Sequence, residues 1–102
     1  MITIVAKLTA AEGKADQLKA AMLEMIANVK QHEAGKTLAY SLHTSDAEPN
    51  TFLFYEQYSD AAAVEAHGKT DHMRAFGLAI RDGALTASRP VVERYTQIGG
   101  VS

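Results

Sequence analysis

The period of the apolar residues switches repeatedly along the 102 residues, and the order of those switches constrains the fold more than any single motif. Ile2 to Leu8 (ITIVAKL) is rich in β-branched residues. Ile2, Ile4, Ala6 and Leu8 share one parity and Val5 takes the other, so the segment predicts a strand covered on both faces. From about Glu12 to Glu33 the period becomes helical. Leu18, Met22, Met25, Ile26 and Val29 form one stripe with charged residues between them, and Gly35 is placed to end the helix. Thr37 to Thr44 (TLAYSLHT) returns to period two, with Leu38, Tyr40 and Leu42 alternating with Ala39, Ser41 and His43. A turn over Ser45 to Asn50 leads into Thr51 to Tyr58 (TFLFYEQY), the most apolar stretch, and the two strands read as an antiparallel hairpin. Ser59 or Asp60 can cap a helix from Ala61 to His67. Gly68 interrupts it, and Thr70 or Asp71 can cap a second segment to about Arg81, striped by Met73, Phe76 and Ile80. Val91 to Ile98 is the last strand.

The order β-α-β-β-α-β is the ferredoxin-like, split-βαβ pattern of an α+β protein: a four-stranded antiparallel sheet with its helices on one face. Residues 1–102 are expected to form one such domain. Leu53 and Tyr55 stand at the opposite parity from Phe52 and Phe54, so the face away from the helices is too apolar for water. The simplest cover is a second copy, which predicts a two-fold homodimer packed sheet against sheet, with an interface to a different protein as the rival.

Composition narrows the function classes. A net charge of −2 and no basic cluster disfavour nucleic acid and an electrostatic membrane anchor as partners. The absence of cysteine excludes disulfides, thiolate metal sites and cysteine nucleophiles, and fits a cytoplasmic location. The opening apolar run is too short for a membrane span and has no basic segment before it, unlike a signal peptide. No phosphate-binding glycine loop, nucleophile elbow or zinc motif is present.

Several segments together resemble the antibiotic-biosynthesis monooxygenase family. They are Glu12-Gly13-Lys14 with Asp16 and Leu18, Glu33-Ala34-Gly35 followed by Leu38-Ala39-Tyr40, and Phe54-Tyr55-Glu56-Gln57-Tyr58. Ala66-His67 with His72 and Phe76, and Arg89-Pro90-Val91 with Tyr95, complete the set. Ala34 replaces the family's usual proline, and one extra residue separates Gly35 from Tyr40. The haem-degrading relatives use an asparagine, a tryptophan and a histidine. Tryptophan and a first-strand asparagine are missing here, which disfavours haem degradation. The resemblance implies a dimeric α/β barrel with a pocket between helices and sheet in each subunit. It also implies oxidation of a small aromatic quinol or phenol by molecular oxygen with no cofactor. An isomerase of a small carbonyl compound, or a non-catalytic ligand-binding dimer, are the alternatives on the same scaffold. A pocket filled by Met22, Met73 and Phe76 would favour the last.

Within that reading His67 is the candidate catalytic base, because imidazole as a residue type titrates near neutral pH. The competing role is structural: capping the helix break at Gly68. Glu56 is the second catalytic candidate, a carboxylate inside an apolar strand that can orient His67 or carry a proton. Its alternative is an ion pair with Arg94. Its parity groups it with Phe52, Phe54 and Tyr58, but the face that parity occupies is open. Tyr40, Tyr55, His72, Met73 and Phe76 are candidate substrate contacts, with core packing as the alternative. A metal site drawn from His67, His72 and Asp71 has a poor helical spacing, so no metal is expected. His32 and His43 read as surface residues.

Overall fold

A computed structural model describes residues 1–101. Its elements are β1 (Ile2–Thr9), α1 (Ala15–His32), β2 (Thr37–Thr44), β3 (Thr51–Tyr58), α2 (Ala61–Gly68), α3 (Asp71–Asp82) and β4 (Val91–Thr96). The sheet order is β2-β3-β1-β4, and every pairing is antiparallel. This is the expected ferredoxin-like order.

The apolar stripe of α1 packs onto one face of the sheet. Leu18, Met22, Met25 and Val29 are buried there with Ala6, Leu8, Phe52 and Phe54 from the central strands. Glu56 and Tyr58 share the parity of Phe52 and Phe54 and are buried beneath the helices with them. The face left open by parity is therefore settled: Glu56 points toward the helices. Leu53, Tyr55 and Gln57 occupy the opposite, half-covered face.

Two helix starts follow the capping logic. Asp60 accepts a hydrogen bond from the Ala63 backbone N–H at 2.9 Å, and Thr70 accepts one from Met73 at 3.2 Å. The chain breaks between them, so α2 and α3 point their side chains independently. The first helix starts at Ala15 rather than Glu12. Gly13 adopts a positive φ of 76° in a turn closed by the Lys14 N–H on the Ala11 carbonyl, and a helix cannot pass through that geometry. The last strand stops at Thr96, where it faces Ile2 at the start of β1 and its partner runs out.

The extra residue before Tyr40 is absorbed by a β-bulge between Thr37 and Ala39. Leu38 sits at the bulge and is 48% exposed, so the strict alternation expected for this strand fails at its first apolar residue. Beyond the bulge Tyr40 and Leu42 recover the helix-facing parity, opposite Glu56 and Phe54. Among the described residues, no helix is long and apolar enough to cross a membrane.

Candidate active site

The bulge, the end of α1 and the break between α2 and α3 meet at one place. Glu33 caps the C-terminus of α1 and its side chain is buried. Its carboxylate receives a hydrogen bond from Thr37 Oγ1 at 2.7 Å on Oε1. His67 Nδ1 lies 2.9 Å from Oε1 and 3.1 Å from Oε2. His72 Nε2 bonds the same Oε2. On the other side of the His67 ring, Nε2 is 3.9 Å from Glu56 Oε1, and Tyr58 donates its hydroxyl to that oxygen at 2.6 Å. Tyr40 and Tyr58 flank the imidazole, each with its ring centroid 5.4 Å away. These contacts leave His67 little freedom to turn.

The two carboxyls respond differently to burial. Burial pushes Glu33 up, but hydrogen bonds from Thr37, His72 and His67 and the His67 charge together hold it below the usual carboxylate range. Glu33 is therefore ionised and can only accept. In the neutral tautomer that an acceptor-only Glu33 selects, the ring proton of His67 sits on Nδ1 and Nε2 keeps its lone pair. Glu56 is pushed up to about 7, first by burial and further by the Glu33 charge, against the single Tyr58 hydrogen bond. Burial, with the Glu56 charge next, also raises Tyr40 and Tyr58, so both hydroxyls stay protonated.

His67 lines an apolar cavity of about 400 Å³ between helices and sheet, together with Glu56, the residue its Nε2 approaches. Phe54, Met73, Phe76, Ile80 and Val92 supply much of its wall, and Tyr40, Glu56 and His67 are the ionisable side chains that line it. It is open space, because Met22 is buried in the core and Met73 and Phe76 form wall rather than filling. Four sequence candidates thus surround one cavity with His67: Glu56, Tyr40, Met73 and Phe76. His72 does not line it. It lies behind Glu33, along a surface depression shared with His32 and Asp71. Tyr55 projects from the opposite face of the sheet and meets neither His67 nor Glu56. Asp71 is exposed, and Arg94 is exposed with no ion pair to Glu56.

Glu33 and Tyr58 are the two site residues that reading the sequence for chemistry missed. Tyr58 carried no signal beyond its parity. Glu33 carried one: an acid at the C-terminal end of a helix opposes the helix dipole, and such local conflicts gather at functional sites. Glu33, His67 and His72 each offer one ligating atom, and these atoms all lie within 4.8 Å of one another. Among the described residues they are the group of three that could hold a metal.

A helix-covered antiparallel sheet with a broken second helix, and a buried imidazole at the wall of an apolar pocket, define a ferredoxin-like α+β protein with a cavity between its helices and its sheet. The chain belongs to the antibiotic biosynthesis monooxygenase family, whose model matches residues 1–77. The resemblance drawn from Arg89-Pro90-Val91 and Tyr95 lies beyond the matched residues. Solved structures extend the likeness through β4. A Caulobacter crescentus protein that carries the family's name is 33% identical, with a TM-score of 0.87 over 96% of this chain and 90% of its own. A Shewanella oneidensis protein is 29% identical, with a TM-score of 0.85 over 94% and 89%. A Pseudomonas aeruginosa protein is 28% identical, with a TM-score of 0.84 over 96% and 94%. A search of curated proteins gave no match.

Proposed function

We propose that this protein is a cofactor-independent monooxygenase acting on a small aromatic quinol or phenol, with His67 Nε2 as the base. The observation that carries the reading is the setting of the His67 ring: Nδ1 is held by an ionised carboxylate, and Nε2 is on the side of Glu56, with which His67 lines the apolar cavity. A cavity of about 400 Å³ suits a ligand of one to three rings, within the usual range for small-molecule pockets. A hydroxyl proton passes to Nε2, and the imidazolium forms beside Glu33, whose negative charge stabilises it, with the Glu56 carboxyl on its other side. The substrate anion then reduces molecular oxygen and forms a carbon–oxygen bond to it. Loss of water leaves one oxygen atom in the product and one in water, with all four electrons drawn from the substrate. Glu56 orients or relays the proton, and Tyr40 donates a hydrogen bond to the substrate oxygen.

Oxygen uptake by chelator-treated protein, against a panel of hydroquinones and anthrone-like phenols, tests this. Uptake above autoxidation is expected, and His67→Ala should lower it at least about 10²-fold with folding intact. Product formation without oxygen would instead identify an isomerase using the same two proton carriers. Wild-type turnover in His67→Ala would remove the base from the scheme.

The assembly we propose is a homodimer through the open sheet face. Proteins of this family are generally dimeric. Leu53 and Tyr55 lie on that face, and Val91 and Tyr95 on β4 are 54% and 50% exposed. Light scattering should give twice the chain mass, and Leu53→Lys should give the monomer.

A further inference from the structure

We infer that Glu33, His67 and His72 form a binding site for one divalent transition-metal ion, with zinc the ion best matched to the ligands. Glu33 Oε2 is the centre of the arrangement. It lies 3.1 Å from His67 Nδ1 and bonds His72 Nε2, so the three donors already converge on one point. Two imidazoles and a carboxylate are a recognised donor set for zinc with one position left open. Around a tetrahedral zinc such donors stand about 3.3 Å apart; Oε2 and His67 Nδ1 are 3.1 Å apart and all three donors lie within 4.8 Å of one another, so side-chain rotations that open the His72–Glu33 contact admit the ion. Each ligand comes from a different element, the end of α1, the end of α2 and the start of α3, and each side chain is at least nine-tenths buried.

The surroundings fit a metal as well as the ligands do. Thr37 Oγ1 binds Oε1 of Glu33 and leaves Oε2 for the ion. Nε2 of His67, the ring nitrogen a metal on Nδ1 would leave free, faces the Glu56 carboxyl at 3.9 Å. Metal-bound histidines commonly donate the second ring N–H to a carboxylate, and Glu56 stands within a small side-chain shift of that role. His72 lines the surface depression with Asn28 and His32, which provides a route for the ion and water for the fourth position. His32 stacks on His72 with ring centroids 5.8 Å apart, at the mouth of that route.

A metal on Nδ1 moves the ring proton of His67 to Nε2. The lone pair assigned to the base is then gone. The consequence, which rests on the proposed monooxygenase reading, is that the ion inhibits the reaction rather than serving it.

Metal-free full-length protein titrated with Co²⁺, followed by its visible absorption and then by Zn²⁺ competition, tests the site without any substrate. One equivalent should bind with a four-coordinate spectrum, and Zn²⁺ should displace it. His72→Gln and Glu33→Gln, checked for folding by circular dichroism, should each weaken binding at least about tenfold. His32→Gln should change it less than about threefold, because that ring lies outside the ligand set. Absence of saturable one-to-one binding overturns the inference. So does binding that survives His72→Gln, or that is lost only with His32→Gln. In a separate arm, Zn²⁺ should depress oxygen uptake with the same midpoint as Co²⁺ displacement. Uptake unchanged at full occupancy would overturn the inhibitory consequence while the binding data stand. Absence of any oxygenase substrate would count against the proposed reaction alone.

Discussion

Glu33 and Glu56 are buried to nearly the same depth, 6% and 5% exposed, and both face the His67 ring, yet their carboxyls are pushed in opposite directions. Burial penalises the charge of each. The difference lies in the donors. Glu33 sits where three elements meet and collects Thr37, His67 and His72. Glu56 sits mid-strand with one donor, Tyr58, and also feels the Glu33 charge. In a low-dielectric site the hydrogen bonds to the charged form work against desolvation: three donors outweigh it at Glu33, while one donor does not at Glu56, which is desolvated more strongly in mid-strand. One side of the imidazole is thereby fixed as anionic. The other holds a group that gains or loses its proton near neutrality.

The strongest way to break that comparison is to neutralise the ionised member. Glu33→Gln keeps the shape but places an amide against three donors, and it removes the charge that sets the His67 tautomer. Turnover should fall at least about 10²-fold, comparable to losing the base itself. Unfolding free energy should fall by about 2–3 kcal/mol, the usual cost of leaving buried donors badly paired. Oxygen uptake and urea denaturation of the same preparation check both. Near-normal uptake in the Glu33→Gln variant would show that the tautomer is set elsewhere.

Glu56→Gln should produce the next largest effect, in the pH dependence of stability. A folded-state pKa of about 7 lies above the unfolded value, so the folded state holds a proton that the unfolded chain has released. That contribution is fully present below about pH 4.5 and is lost as pH rises through about 7. Metal-free wild-type protein should therefore lose roughly 3 kcal/mol over that interval, and Glu56→Gln should flatten the loss. Glu33 acts with the opposite sign. Its lowered pKa gives a contribution present above the unfolded value, which is lost as pH falls through the lowered one. Melting temperatures measured across the pH range separate the two, because the slopes fall in different windows.

The contrast between the carboxyls also marks how far the sequence could be read. Periodicity is local, so it located β2 and β3 to the residue, and cap chemistry narrowed each helix start after Tyr58 to two residues, of which Asp60 and Thr70 make the bonds. It placed Glu56 with Phe52, Phe54 and Tyr58, but only pairing with β1, whose Ala6 and Leu8 lie under α1, decides the face. Tyr55 drew attention for its chemistry and lost it to the same parity. Leu38 escaped because a bulge is a property of two strands and cannot be read from one. Glu33 meets His67 and His72 across 34 and 39 residues, through the ends of three helices. No period connects them. The one local trace was an acid at the wrong end of a helix.

Removing a single donor from each carboxyl gives the smallest effects and the finest test. Thr37→Val takes one of three donors from Glu33, and Tyr58→Phe takes the only hydrogen-bond donor from Glu56. Both should raise the pKa of the carboxyl they leave, since both lost bonds favoured the charged form. Their costs should differ with pH. Glu33 is ionised at neutral pH, so Thr37→Val should cost about 1 kcal/mol at pH 7. Below pH 6 Glu56 carries its proton and depends less on Tyr58, so Tyr58→Phe should cost a few tenths of a kcal/mol there beyond any packing change. Above pH 8 the cost should approach that of Thr37→Val. Carbon-detected NMR titration of the two carboxyls, with denaturation at pH 5.5 and 8.5, provides the comparison. Equal cost at both pH values for Tyr58→Phe would mean that Glu56 does not change its protonation between them, and the asymmetry across His67 would have to arise from something other than donor number.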